Sequence, residues 1–140
     1  MNGEIKFRGK NAFSANWFYG FLTKEDEKYF ITKNSSEFYQ VDQKTIGQWT
    51  GLYDKNGKEI YEGDIIEYKD STGLHRETVV FDKGCFYAGW HSGSSTREAP
   101  KLINTRISTV IGNIYESEVT NGKWLWSIKR KAITVSRWME

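Results

Sequence analysis

From Val41 to Phe86 the chain alternates short apolar segments with turn signals at close, regular intervals. Asp54-Lys55-Asn56-Gly57-Lys58 separates Thr50–Tyr53 from Glu59–Tyr61, and Glu62-Gly63-Asp64 makes a tight corner before Ile65–Lys69. Asp70–Gly73 and Asp82-Lys83-Gly84 then bracket the β-branched and aromatic run Glu77–Phe81. Asn56-Gly57 is the pair preferred in a type I′ turn, whose two central residues both need positive φ, so a hairpin flanked by Leu52 and Ile60 is predicted. Short strands at even spacing with turn residues between them indicate a barrel or a sandwich.

The flanking segments extend the pattern. Ile5 and Phe7 alternate with Glu4, Lys6 and Arg8, which predicts a half-buried strand with the charges outward. Trp17–Leu22 and Lys28–Thr32 pair as a hairpin across the charged Thr23–Glu27, and Phe38–Asp42 follows as another strand. His91–Pro100 is the most loop-like stretch, and Leu102–Tyr115 supplies the closing strand with a bulge or bend expected at Gly112. The fold class is therefore all-β, with at most a minor helix: a small barrel-like fold with a central module and extra hairpins. A Gly-Asp corner, a strand, a turn, an apolar strand, a Gly turn and a third strand is also the order of SH3-like small barrels, an analogy of fold that carries no function.

Composition bounds the class. With 6 Trp, 8 Tyr and 8 Phe the chain is rich in rigid side chains suited to strands, and its single Pro argues against a proline-rich linker. Cys85 is alone, so no intrachain disulfide forms. The opening MNGEIKFRGK offers no apolar signal region, and no run approaches the roughly 20 apolar residues of a transmembrane segment, so the cytoplasm is the expected compartment. The net charge is +2, but residues 120–140 carry +4 and the preceding body −2.

Several groups of residues bear on chemistry. His75, His91 and Cys85 are the soft or imidazole ligands, and none is spaced as a metal site requires, so neither a metal nor a cofactor is expected. Cys85 with either histidine would need a depressed thiol pKa and a base in reach, which the sequence does not specify. Asp54, Glu59, Glu62 and Asp64 form an acidic group around the hairpin, in which Asp54 is read as initiating a turn and Asp64 as bonding local backbone at the Gly63 corner rather than as parts of a catalytic pair. The tail Asn121–Met139 interleaves basic and bulky apolar residues. On a helix Trp124, Ile128, Ala132 and Val135 form one stripe, whereas as strands Trp124, Trp126 and Ile128 alternate. Either way an apolar face must pack: on its own domain or a sister subunit, on another protein or a membrane surface, or with Lys123, Lys129, Arg130, Lys131 and Arg137 on phosphates and Trp124 or Trp126 stacked on bases.

The run Val41-Asp42, Ile46-Gly47-Gln48-Trp49-Thr50-Gly51-Leu52 and Asp54 through Ile65 resembles the central motif of the YopX family. Val79-Val80-Phe81 with Gly84 and Phe86 is similar to the family's next block, Val110–Glu116 to its closing block, and Ile5-Lys6-Phe7-Arg8 to its start. The resemblance implies a small β-rich protein encoded by phages or prophages and acting in the bacterial cytoplasm, with no biochemical activity to carry over. It implies that Gly47, Gly51, Gly57 and Gly63 set turns while Leu52, Ile60 and Ile65 fill the core. The family pattern ends soon after Glu116, and this chain continues for 24 residues. The expected organisation is a YopX-like β domain over residues 1–118 and a basic, Trp-containing extension over residues 119–140. The expected function is that of a non-enzymatic accessory protein working through protein contacts with a host or phage protein and through homo-oligomerisation. Nucleic-acid binding by the tail is the alternative.

Overall fold

The computed structural model describes residues 3–89 and 101–116. Among them the regular structure is almost entirely strand, with one short 3-10 helix at Gln43–Thr45, whose first turn is capped by the Asp42 carboxylate accepting from the Lys44 N–H. The chain divides into two compact units, Met1–Tyr53 with Gly57–Glu62, and Asp54–Asn56 with Gly63–Glu140.

The first unit holds β1 (Phe7–Lys10), β2 (Trp17–Glu25), β3 (Lys28–Asn34), β4 (Glu37–Val41), β5 (Gly47–Tyr53) and β6 (Glu59–Tyr61). They form one antiparallel sheet in the order β4-β3-β2-β1-β5-β6. A single bridge, Asn11 to Val41, with the Asp42 N–H donating to the Lys10 carbonyl, ties the edge strand β4 back to the end of β1. Ile31, Val41, Trp49, Ile60 and Tyr61 are its buried apolar residues.

Arg8 reverses the expected facing of β1. Its side chain is buried, with the residue 4% exposed, whereas Ile5, just ahead of the strand, is 52% exposed. The guanidinium lies 4.9 Å from the Trp17 ring and 5.0 Å from the Tyr61 ring, and it donates to the Glu62 carbonyl at 3.3 Å. A planar, weakly hydrated cation satisfied by two aromatic faces tolerates burial in a central strand that alternation alone assigns to solvent. Burial and the Glu59 carboxylate beside it push the Tyr61 hydroxyl pKa upward.

The second unit holds β7 (Asp64–Asp70), β8 (Gly73–Asp82), β9 (Cys85–Ala88) and β10 (Thr109–Asn113), antiparallel in the order β10-β7-β8-β9. Consecutive residues Ile65 and Ile66 are both fully buried, so β7 is covered on both faces; Ile111 and Ile114 pack against Ile65. The register of β10 shifts between Val110 and Gly112, the bulge expected at Gly112.

The stretch Val41–Phe86, read as one barrel module, is thus shared between two sheets, and the strands do not close into a barrel. The division falls at Gly63, which has φ +92° and donates its N–H to the Val79 carbonyl. The closing segment is also shorter than expected, with only Thr109–Asn113 in a strand and Leu102–Ser108 irregular. The Asn56-Gly57 hairpin is present, but Gly57 alone of the pair has positive φ, so the turn is not type I′. Instead the Asp54 carboxylate organises the loop, accepting from the Asn56 N–H at 2.8 Å and from the Val110 N–H at 2.9 Å. Leu52, expected in the core, is 37% exposed. Gly47 has no left-handed φ; a Cβ there would lie 2.5 Å from the Glu62 carbonyl oxygen, so it serves close approach of backbone rather than a turn.

Candidate functional site

The second unit encloses a cleft of about 210 Å³. Its base comes from Ile66, Tyr68 and Asp70, which the two-residue repeat of β7 puts on one face. Ala88 of β9 and the segment from Lys101 to Ser108 cover it. Ala88 and Lys101 are bridged, the Ala88 N–H donating to the Lys101 carbonyl at 2.8 Å. Asn104 turns the covering segment: its carbonyl accepts from the N–H groups of Ile107 and Ser108, and its side-chain oxygen from the Arg106 N–H. Ser108 is 1% exposed, its carbonyl accepts from the Lys55 N–H at 3.0 Å, and its hydroxyl is buried with no hydrogen-bond partner.

Polar side chains gather at the β7–β8 end. Asp70 Oδ1 accepts from the Thr72 N–H at 2.8 Å and the Thr72 hydroxyl at 2.6 Å, and lies 3.0 Å from His75 Nε2. Those bonds, the Thr72 hydroxyl foremost, hold the carboxyl pKa at about 2. Thr72 Oγ1 is also 2.7 Å from the same His75 nitrogen. A proton relay needs nucleophile and carboxylate on opposite ring nitrogens, so this trio caps the turn instead. Register places Tyr68 opposite His75 and Ile66 opposite Glu77. The Tyr68 ring stacks on the His75 ring at 5.0 Å, and its hydroxyl donates to Glu77 Oε1 at 2.8 Å. Glu77 Oε2 is buried without a partner, and a Cβ at Gly89 would collide with it.

The first unit carries a different feature. Register aligns Phe21, Thr32 and Phe38 across β2, β3 and β4, and two-residue alternation adds Tyr19 and Phe30 to the same face. Ile31 and Val41 occupy the opposite, buried face with Phe18 and Tyr39, whose rings stack at 4.0 Å. Phe21 and Phe38 are each 62% exposed and Tyr19 is 45% exposed, while Phe30 meets Phe38 edge to face at 5.9 Å. An antiparallel sheet with one solvated face ordinarily places polar residues there. This one is aromatic on both faces.

A family model described as YopX protein matches residues 4–119. The chain belongs to the YopX family. The crystal structure of protein EF1440 from Enterococcus faecalis is similar in fold, with a TM-score of 0.52 and 24% sequence identity over 89% of this chain and 99% of that one. No curated protein matches the chain.

Within this YopX-family chain the residues singled out from sequence scatter. Cys85 is exposed and pairs across strands with Asp82, while His75 lies at the other end of β8, about 23 Å away along a strand rising ~3.3 Å per residue. They cannot act together as nucleophile and base. His91 and the tail residues Lys123, Trp124, Trp126, Lys129, Arg130, Lys131 and Arg137 lie outside the described residues. Of the acidic group, Glu59 and Glu62 belong to the first unit and Asp54 and Asp64 to the second. Glu59 pairs with Lys6, Glu62 is half-buried with its pKa raised by desolvation, and Asp54 holds its loop. No three metal-ligating side chains converge among the described residues. The outer aromatic face and the cleft were not anticipated. The first had a readable signal, aromatic residues in three successive strands at positions of both parities. The second had none, because residues 101–108 reach β7 through tertiary packing alone.

Proposed function

We propose that this protein is a non-enzymatic accessory protein of phage or prophage origin, acting in the bacterial cytoplasm through protein contacts that include self-association. The observation that carries the reading is the exposed aromatic face of Tyr19, Phe21, Phe30 and Phe38. Contiguous exposed apolar surface on a small protein marks an interaction site, and Tyr and Phe are enriched at interface centres. Glu25 and Lys28, paired across the β2–β3 turn, border the face with both signs of charge. A surface of that kind is self-complementary across a two-fold axis, so a second copy of the chain is the proposed occupant. The turn-capping arrangement of His75 supports a non-enzymatic role, and the β7–β8–β9 meander supports the SH3-like comparison as an analogy of fold.

Light scattering on the full chain tests the reading. The wild type should form a dimer or higher oligomer that Phe21→Lys with Phe38→Lys converts to monomer with unchanged circular dichroism. A wild type that stays monomeric up to several hundred micromolar removes it. The alternative, nucleic-acid binding, is supported by the +4 charge of residues 120–140. It requires retardation of DNA or RNA that weakens steeply with salt and is lost when Lys129, Arg130 and Lys131 become Ala.

A further inference from the structure

We propose that Asn56 is a site of spontaneous covalent modification: the Gly57 nitrogen displaces its side-chain amide, and the product loosens the bond that ties β10 to the Asp54 loop. The site is separate from the aromatic face and independent of it. Asn56 is exposed in the loop between β5 and β6. Attack requires the Asn side-chain carbonyl carbon to reach the following backbone nitrogen, an approach that a Cβ on the next residue obstructs and glycine leaves clear. Around Gly57, at φ +86°, no atom beyond its chain neighbours lies within 4 Å of where a Cβ would stand. Of the three Asn-Gly pairs in the chain, this is the one that lies wholly within the described residues.

The other described asparagines are restrained. Oδ1 of Asn11, Asn34, Asn104 and Asn113 each accepts from the N–H two residues on, which pins the side-chain carbonyl in place. Asn16 precedes the bulky Trp17. Asn56 is held instead through its backbone N–H, which donates to Asp54 Oδ1 at 2.8 Å, and its side-chain amide is left to turn.

The reaction needs only water and hydroxide. The Gly57 nitrogen, its proton taken by hydroxide, bonds to Asn56 Cγ; the Cγ–Nδ2 bond breaks, and ammonia leaves with a proton from water. Water then opens the five-membered imide at either carbonyl, giving aspartate, or isoaspartate with one extra carbon in the main chain. Either product sets a second carboxylate beside that of Asp54, and like charges so close repel. Asp54 is 6% exposed, and its Oδ2 accepts from the Val110 N–H at 2.9 Å, so the repulsion falls on the bond that ties β10 to the loop.

Incubation of the full chain in mildly alkaline buffer, followed by mass mapping of the chymotryptic peptide 54–61 and by amide exchange, tests this. Asn56 should convert nearly as fast as in the free peptide of the same sequence, while Asn34, although followed by a serine, stays intact. In the converted protein the Val110 amide should exchange about fivefold faster, the worth of one hydrogen bond. Asn56→Asp, which carries the charge without the reaction, should reproduce part of that acceleration. Asn56→Gln, whose longer side chain must close a six-membered ring, should resist conversion and keep Val110 protected. Asn56 left intact in the folded chain under conditions that convert the peptide would overturn the proposal. So would conversion of Asn34 at the same rate, or a converted protein whose Val110 amide exchanges no faster than before.

Discussion

Asp70 shows how a single exposed carboxylate is set by its neighbours. The Thr72 hydroxyl, the Thr72 N–H and His75 all favour its ionised form, lowering the pKa from 3.8 to about 2. A carboxyl whose folded pKa is depressed stabilises the fold fully above the unfolded value and loses that contribution as pH falls through the folded one. The window here therefore runs from about pH 4 down to about pH 2. In Thr72→Val the carboxyl should titrate closer to 3.8, seen in the side-chain carboxyl carbon shift, and the acid limb of the stability curve should flatten. An unchanged titration would show that the hydroxyl does not hold the carboxylate. At this scale the sequence is only partly readable. That Asp54 organises its turn follows from residue type, but its bond to the Val110 N–H, 56 residues away, does not. Arg8 misleads because alternation treats every charge as outward, and only the placement of Trp17 and Tyr61 makes its burial tolerable.

At the scale of elements, turn chemistry is the instructive case. The two-residue turn between β2 and β3 is Asp26-Glu27, with φ +50° and +63°, and that between β8 and β9 is Lys83-Gly84, with φ +50° and +83°. Both have the positive φ of type I′ turns, while Asn56-Gly57, the stronger sequence signal, does not. The β2–β3 ladder extends to Glu25–Lys28 and leaves two residues to reverse the chain, so cross-strand pairing imposes the left-handed conformation on a glutamate. Glu27→Gly should accordingly stabilise the protein by about 0.5–1 kcal/mol, since glycine adopts that conformation without the Cβ penalty. The Lys24–Glu27 pair that it removes is exposed and contributes little. Urea unfolding checks this, and a lowered midpoint would contradict it. The existence of the hairpins was legible from spacing; which pair adopts the I′ geometry was decided by register.

For the whole molecule, the consequential fact is that the chain passes between its two compact units more than once. The loop Asp54–Asn56 belongs to the second unit although the strands on either side of it belong to the first. That loop supplies the acceptor for the Val110 N–H and a donor to the Ser108 carbonyl. A fragment of residues 63–140 would expose both groups unsatisfied and should show poor amide dispersion and no cooperative unfolding, whereas the full chain shows both. A well-dispersed, cooperatively unfolding fragment would prove the loop dispensable. Likeness to a family motif supplied the family and the burial of Ile60 and Ile65, and local pattern by itself determined that this chain makes strands and where most of them turn. Those features are written in neighbouring residues, through the two-residue alternation of strands and the φ preferences of turn residues. Only the tertiary structure decided that the central motif is split between two sheets, that Arg8 lies inside and Leu52 outside, that both faces of β2–β4 are aromatic with one of them open, and that a buried serine lines a cleft. Each of these depends on which distant segments meet, and short-range periodicity carries no term for that.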